Sequence, residues 1–104
     1  MNTIDSAVNS KSQEFIDNAE AMQGLVDDLK SQVAHVMQGG GERYQQRHQA
    51  RGKLLVRDRI DALVDSGSPF LEFSQLAAFN MYGEDDVPAA GLITGIGRVV
   101  GQEC

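Results

Sequence analysis

The sequence predicts an α+β chain in which helices come first and short strands follow. Three observations support this prediction: a long apolar repeat of helical spacing, a basic helical middle, and a tail rich in glycine and β-branched residues. The predicted helices cover about residues 9–38, 42–51 and 56–65, and the predicted strands about 70–73 and 91–99.

Composition narrows the class of protein before any motif is considered. The 104 residues are 41% hydrophobic and carry a net charge of −6, which fits a globular chain and argues against general affinity for nucleic acid or membranes. No apolar run approaches the ~20 residues that span a bilayer, and the N-terminus resembles no targeting signal. The single cysteine, Cys104, favours a reducing compartment, so we expect a cytoplasmic protein.

The long helix, residues 9–38, carries a heptad seam of apolar residues. One row has a seven-residue spacing and the companion row lies four residues on, which is typical of a coiled coil or of a helix laid on a larger surface. Asn9 or Ser10 is expected to cap the N-terminus, and Gly39 to end the helix. The seam consists of Val8, Phe15, Ala19, Met22, Val26, Leu29, Val33 and Val36.

Two interpretations of this seam stay open. It covers the core of the same domain, as most amphipathic helices do, or it binds another chain. A helix of about 30 residues is about 45 Å long, more than the remaining residues would cover. We therefore expect part of the seam to meet another chain or a further part of the protein.

The middle of the chain concentrates positive charge. Residues 42–59 contain six basic and two acidic residues, a local charge of +4. Arg43, Arg47 and Arg51 are spaced four apart, on one side of a helix. Ion pairing, a phosphate-bearing ligand and nucleic acid are the three candidate explanations, and the absence of interleaved aromatic residues disfavours the last.

The segment after this basic region predicts a short helix, a turn and a strand. Apolar residues from Val56 to Val64 share one helix face, and Asp58 and Asp61 are within reach of Arg57 and Arg59 for local pairing. Gly67 and Pro69 end the helix, and a half-buried strand follows at 70–73.

The tail offers two apparent motifs that we reject. Glu84, Asp85 and Asp86 lack the spacing of a calcium loop, which favours a solvated turn. The glycines at 95, 97 and 101 resemble a dinucleotide fingerprint, but strand-like residues follow where a helix is required. Gly101 predicts a hairpin turn whose return strand begins at Glu103, with the chain ending before that strand pairs. The tail therefore indicates a larger protein, cut short at this edge.

The order of residues through the middle and tail resembles a known family. Gly39-Gly40-Gly41-Glu42 is followed by Arg47-His48, by ARGKLLVRDRIDALVDSGSPFLEF and by LAAFNMYGEDDVPAAGLITGIGRVVGQEC. This series resembles the carboxyltransferase subunit of biotin-dependent acyl-CoA carboxylases, closest to the methylcrotonoyl-CoA carboxylase beta type. The resemblance implies that residues 1–104 are the N-terminal part of a single crotonase-like carboxyltransferase domain: a long helix, a basic helical segment at 42–65 and a strand-rich tail at 70–104.

The resemblance also implies a reaction and its participants. The family moves a carboxyl group from carboxybiotin to an acyl-CoA, here 3-methylcrotonoyl-CoA, in an oligomer with a subunit that carries biotin carboxylase and the biotin carrier. It places Arg51, Gly52 and Lys53 near the CoA nucleotide, with Arg47 as a further candidate. The loops that stabilise the enolate lie later in the family sequence, so no catalytic or metal-binding residue is expected in this chain, which alone should be inactive. The alternative is a small helical interaction module that uses the seam 8–36.

Overall fold

The computed structural model describes residues 3–104, and its helices precede its strands as the sequence predicts. The chain divides into two compact units, one ending at Ser31 and the other covering Gln32–Cys104. No helix of residues 3–104 is long and apolar enough to cross a membrane. The elements are α1 (Gln13–Met37), α2 (Glu42–Gln49), α3 (Val56–Leu63), β1 (Leu71–Phe73), a 3₁₀ turn (Pro88–Gly91), β2 (Thr94–Ile96), β3 (Arg98–Val99) and β4 (Gln102–Glu103).

Helix α1 begins later than predicted, because a different residue caps it. Ser12 Oγ accepts a hydrogen bond from the Phe15 N–H at 3.3 Å, which is the N-cap arrangement. Asn9 instead turns the chain before the helix, with its Oδ1 accepting the Lys11 N–H at 3.1 Å. An Asn side chain competes for nearby backbone groups in this way. The predicted caps, Asn9 and Ser10, were therefore wrong, and the helix starts at Gln13.

The heptad seam has two different environments along α1. Phe15, Met22 and Leu29 belong to the first unit and are 41%, 58% and 50% exposed. Val36 belongs to the second unit and is 2% exposed. The seam thus serves a core only at its C-terminal end, and its longer N-terminal part presents apolar surface.

The second unit has little apolar core. Among residues 3–104 the only buried hydrophobic residues are Val36 and Ala89. A half-buried ion pair supplements them: Arg57 Nη2 on α3 lies 2.6 Å from Glu72 Oε1 on β1. Arg57 Nη1 also donates to the Met37 carbonyl oxygen at the end of α1, at 3.2 Å. One guanidinium therefore ties together three elements that share few buried contacts.

The strand predicted at 91–99 is divided into separate pieces. Its first residue, Gly91, belongs to the 3₁₀ turn, and Gly97 separates β2 from β3. Strand β2 pairs antiparallel with β1, with Leu71 opposite Ile96 and Phe73 opposite Thr94. Beyond Gly97 the chain leaves this partner and pairs with β4 instead.

Strands β3 and β4 form a hairpin, which corrects the expectation that the chain ends before its return strand pairs. Arg98 pairs with Glu103 and Val99 with Gln102, and Gly97 and Cys104 exchange two backbone hydrogen bonds of 2.9 and 3.1 Å. The two connecting residues, Val100 and Gly101, have φ angles of 50° and 78°. Positive φ at both positions is the type I′ turn, which reverses the chain within two residues and so lets pairing begin at Gln102.

Gly95 and Gly97, in the tail, lie where close packing leaves no room for a side chain. A Cβ placed on Gly95 would collide with the Leu71 carbonyl oxygen and the Phe70 ring, and one on Gly97 would lie 2.9 Å from Val64 Cγ1. These glycines let the strand β2 and its end approach the Phe70 side chain. Their dinucleotide-like spacing therefore reflects packing, in agreement with the rejection of that motif.

Candidate functional site

The predicted site residues lie on α2 and on the connection that follows it. Arg47 is in the last turn of α2, Arg51 and Gly52 form the turn after the helix, and Lys53 comes next. All four are exposed. Helix α2 ends at Gln49, two residues before the predicted end, because Gly52 adopts a φ of 73° and its N–H bonds back to the Gln49 carbonyl at 2.8 Å.

The six basic residues of the middle segment fall into two groups with different surroundings. Within residues 3–104 the side chains of Arg43, Arg47, Arg51 and Lys53 have neither an ion pair nor a hydrogen bond. Arg57 pairs with Glu72, and Arg59 Nε donates to the Leu54 carbonyl oxygen at 3.1 Å. Ion pairing thus accounts for Arg57, while the first four cations stay available to an external anion.

The predicted local pairing of Arg57 and Arg59 with Asp58 and Asp61 was wrong. Arg57 pairs instead with Glu72, whose side chain is 9% exposed and offers a partly desolvated carboxylate on β1. Such a charge needs a partner more than an exposed Asp on the same helix does. Arg59 turns back toward the start of α3, where it donates to the Leu54 carbonyl oxygen, one residue before the N-cap.

His48 takes part in this site although the sequence analysis did not include it. Its Nε2 lies 3.1 Å from the Leu54 carbonyl oxygen, the same atom that accepts from Arg59. Nothing in the local sequence pattern pointed to this contact, because it joins residues on opposite sides of a loop. The histidine is half-buried, whereas Arg47, one position earlier, is exposed.

An open groove of about 510 Å³ borders the inner side of α2. Tyr44, Gln45 and His48 line it from α2, and Leu92 and Ile93 from the tail. The cations Arg43 and Arg47 do not line this groove. Helix α2 therefore separates a mainly apolar groove on one side from a positively charged exposed surface on the other.

A second histidine pairs with the acidic loop. His35 Nε2 lies 3.0 Å from Asp86 Oδ2, and both side chains are about half exposed. No group of three His, Cys, Asp or Glu side chains in residues 3–104 is placed to hold a metal ion. This contact therefore joins α1 to the loop without assembling a ligand set.

Comparison with known proteins agrees with the family resemblance. Residues 47–104 match the model of the carboxyl transferase domain. The chain is 50% identical over 103 residues to the mitochondrial methylcrotonoyl-CoA carboxylase beta chain of Dictyostelium discoideum, covering 99% of this chain and 18% of that protein. It is 54% identical over 86 residues to the biotin-dependent 3-methylcrotonyl-coenzyme A carboxylase beta1 subunit of Mycobacterium tuberculosis, covering 83% of this chain and 16% of that protein.

The fold has a solved counterpart. The chain matches the beta subunit of P. aeruginosa geranyl-CoA carboxylase with a TM-score of 0.83 and 31% identity, covering 99% of this chain and 19% of that one. This sequence thus spans about a fifth of the length of the proteins that it matches.

Proposed function

Because the chain belongs to the carboxyl transferase domain family, we propose that it forms the N-terminal segment of a carboxyltransferase subunit of a biotin-dependent acyl-CoA carboxylase. That enzyme would transfer a carboxyl group from carboxybiotin to an acyl-CoA. Beta chains named for methylcrotonoyl-CoA carboxylase share 45–50% identity with nearly the whole chain. Propionyl-CoA and methylmalonyl-CoA relatives share only 34–37%. We therefore favour 3-methylcrotonoyl-CoA as the acyl substrate.

The contribution of this segment is to hold the phosphates of CoA. One observation supports this role: Arg47, Arg51 and Lys53 are exposed cations without an acidic partner in residues 3–104, and Arg51 and Lys53 flank Gly52. Arg offers a fork of donors that suits phosphate oxygens, and Lys offers a point charge. Gly52 adds a backbone stretch without a side chain, which a nucleotide could approach closely.

The chemical step belongs to other parts of the subunit. Family members of crotonase-like fold stabilise an enolate with backbone N–H donors, and the loops expected to supply them lie outside this sequence. Biotin would arrive on a partner subunit as the carrier of the carboxyl group. We propose that residues 3–104 make no contact with biotin.

The remaining expectations about the whole protein are proposals of the same kind. We propose a homo-oligomer that works with a biotin carboxylase and biotin carrier subunit, since the similar proteins are named as beta chains and as biotin-dependent. We propose a cytoplasmic location on the strength of the single cysteine. Relatives of this chain include both mitochondrial and bacterial proteins.

Binding of CoA by the full-length subunit tests the phosphate role. We expect Arg51→Ala and Lys53→Ala each to weaken binding of 3-methylcrotonoyl-CoA about tenfold, as loss of a charged phosphate contact does, while binding of the 3-methylcrotonoyl thioester of pantetheine, which lacks phosphates, stays unchanged. Lys30→Ala removes another exposed cation, from α1, and is the matched control. Unchanged affinity for the CoA ester in both site variants would remove these residues from the site.

A second candidate function follows from the exposed seam of the first unit. Phe15, Met22 and Leu29 present apolar side chains at heptad spacing, which favours a helical interaction module for oligomerisation or partner binding. The double change Met22→Glu and Leu29→Glu should then lower the assembly state of the full-length subunit in sedimentation, whereas Ser31→Glu on the polar side should not. Retained assembly in the double variant would leave the seam without this role.

A further inference from the structure

Backbone hydrogen bonds fix both ends of the connection between α2 and α3. At its start, Ala50, Arg51 and Gly52 donate backbone hydrogen bonds to the carbonyls of Gln46, His48 and Gln49, at 2.8 to 3.2 Å. At its end, the Arg59 N–H bonds to the Leu55 carbonyl at 3.0 Å and begins α3. Between these points lie Arg51, Gly52 and Lys53, the residues proposed to meet phosphate.

A single backbone atom of this connection receives two side-chain contacts. The Leu54 carbonyl oxygen lies 3.1 Å from His48 Nε2, on α2, and accepts from Arg59 Nε, on α3, also at 3.1 Å. Because a carbonyl oxygen only accepts, His48 donates to Leu54 in the tautomer that carries the proton on Nε2. In the other tautomer Nε2 accepts from the Arg59 Nη2 group, 3.4 Å away, and Arg59 Nε still donates to the Leu54 carbonyl oxygen.

We propose that His48 and Arg59 are positioning residues that set the Arg51–Lys53 turn for phosphate by bonding the Leu54 carbonyl. This inference rests on the proposed CoA-phosphate function. Leu54 directly follows Lys53, so fixing its carbonyl fixes the peptide unit that leads out of the turn. A cation on a loop that is already ordered binds its anion more tightly, because the ordering entropy is not lost upon binding.

The alternative is that these bonds merely brace two helices. Leu54 is 55% exposed, so the brace encloses no core, and it acts on a backbone atom one residue from the unpaired cation Lys53. A brace between helices would affect every property of the subunit that depends on the fold. A positioning contact affects only ligands that carry phosphate.

The test compares two substrates in the full-length subunit assembled with its biotin-carrying partner. His48→Leu removes the donor at a half-buried position, and His48→Gln retains an amide N–H donor. We expect His48→Leu to raise the KM for 3-methylcrotonoyl-CoA about fivefold to tenfold with kcat unchanged, which is the pattern of lost uniform binding, and to leave the KM for the pantetheine thioester unchanged. His48→Gln should recover most of the affinity for the CoA ester.

The outcomes separate this inference from the proposed function. Equal effects of His48→Leu on both substrates, or no effect on either, would overturn the positioning role. If His48→Leu does not fold, Arg59→Leu carries the same prediction through the second donor, with Gln49→Leu on exposed α2 surface as the control. If Arg51→Ala and Lys53→Ala do not reduce the preference for the CoA ester, the proposed function fails first. If Arg51→Ala and Lys53→Ala reduce that preference and the His48 and Arg59 variants leave it unchanged, only the positioning role fails.

Discussion

The Asp65 carboxylate bonds the backbone of Val100, 35 residues along the chain: its Oδ1 accepts the Val100 N–H at 2.7 Å. Its Oδ2 accepts the Gly101 N–H at 2.8 Å, and the Asp65 N–H donates to the Arg98 carbonyl at 2.8 Å. Asp65, which follows α3, therefore binds both central amides of the β3–β4 turn. This contact connects the helical segment to the last hairpin. Few buried side chains contribute to that connection.

Removal of this carboxylate should loosen the hairpin. In Asp65→Ala the Val100 and Gly101 amides lose charge-assisted hydrogen bonds, each with a net contribution to stability of about 1.5–3 kcal/mol. We expect their hydrogen exchange in the full-length subunit to accelerate at least tenfold, with Asp65→Asn intermediate. Asp61→Ala removes an exposed carboxylate of α3 and should leave these amides unchanged. Equal exchange in Asp65→Ala and Asp61→Ala would show that the turn holds its shape alone.

The hairpin turn contains an avoidable strain. Val100 is β-branched and has a φ of 50°, a conformation that costs about 1–3 kcal/mol for such residues, whereas Asn-Gly suits a type I′ turn. Val100→Asn should therefore stabilise the hairpin by about 1 kcal/mol and slow hydrogen exchange in residues 98–103. The same change at Val99, half-buried in β3, should destabilise it. Faster exchange in Val100→Asn would contradict the assignment of strain to this residue.

The Arg57–Glu72 pair should matter for stability and not for ligand binding. Arg57 and Glu72 are 21% and 9% exposed, and loss of one partner from a buried pair costs about 3–5 kcal/mol. We expect Glu72→Ala to cost somewhat less, about 2–4 kcal/mol, and to accelerate hydrogen exchange in β1 and β2. Lys53→Ala, which removes an unpaired exposed charge, should stay within about 0.5 kcal/mol. A Glu72→Ala variant with native exchange rates would refute the bracing role.

Two glycines should respond to the same substitution in opposite directions. Gly95→Ala introduces a methyl group against the Leu71 carbonyl and the Phe70 ring, and overpacking of this kind costs about 1–3 kcal/mol. Gly24 lies in the interior of α1 with open space around it, so Gly24→Ala should stabilise the helix by about 1 kcal/mol. Thermal unfolding of the full-length subunit would compare them. A Gly95→Ala variant as stable as Gly24→Ala would exclude the close approach.

Local patterns in the sequence predicted the helices well and the strands less well. The bounds of α2 and α3 were predicted to within two residues, since apolar spacing and Gly or Pro signals act over one or two turns. The start of α1 was predicted four residues early, because Asn9, Ser10 and Ser12 offer similar capping chemistry and only the backbone selects Ser12. The strand at 91–99 was predicted as one element, since no local rule shows that pairing changes partner at Gly97.

The candidate site was only partly predictable for a related reason. The sequence showed that Arg47, Arg51 and Lys53 belong to a basic segment. It could not show that they stay unpaired within residues 3–104 while Arg57 does not, because the partner of Arg57 is Glu72, on another element. The His48–Leu54 contact also crosses a loop and was absent from the sequence analysis.

The sequence by itself determined the family, the order of helices before strands and the concentration of positive charge after residue 42, because each is written in neighbouring residues. Only the tertiary structure decided which cations have no partner in the described part of the chain, which glycines are required for packing and how the last hairpin is held. Those outcomes depend on distances between groups far apart in the chain: Arg57 and Glu72, Phe70 and Gly95, Asp65 and Val100. Folding, and not the order of residues, brings each pair within contact.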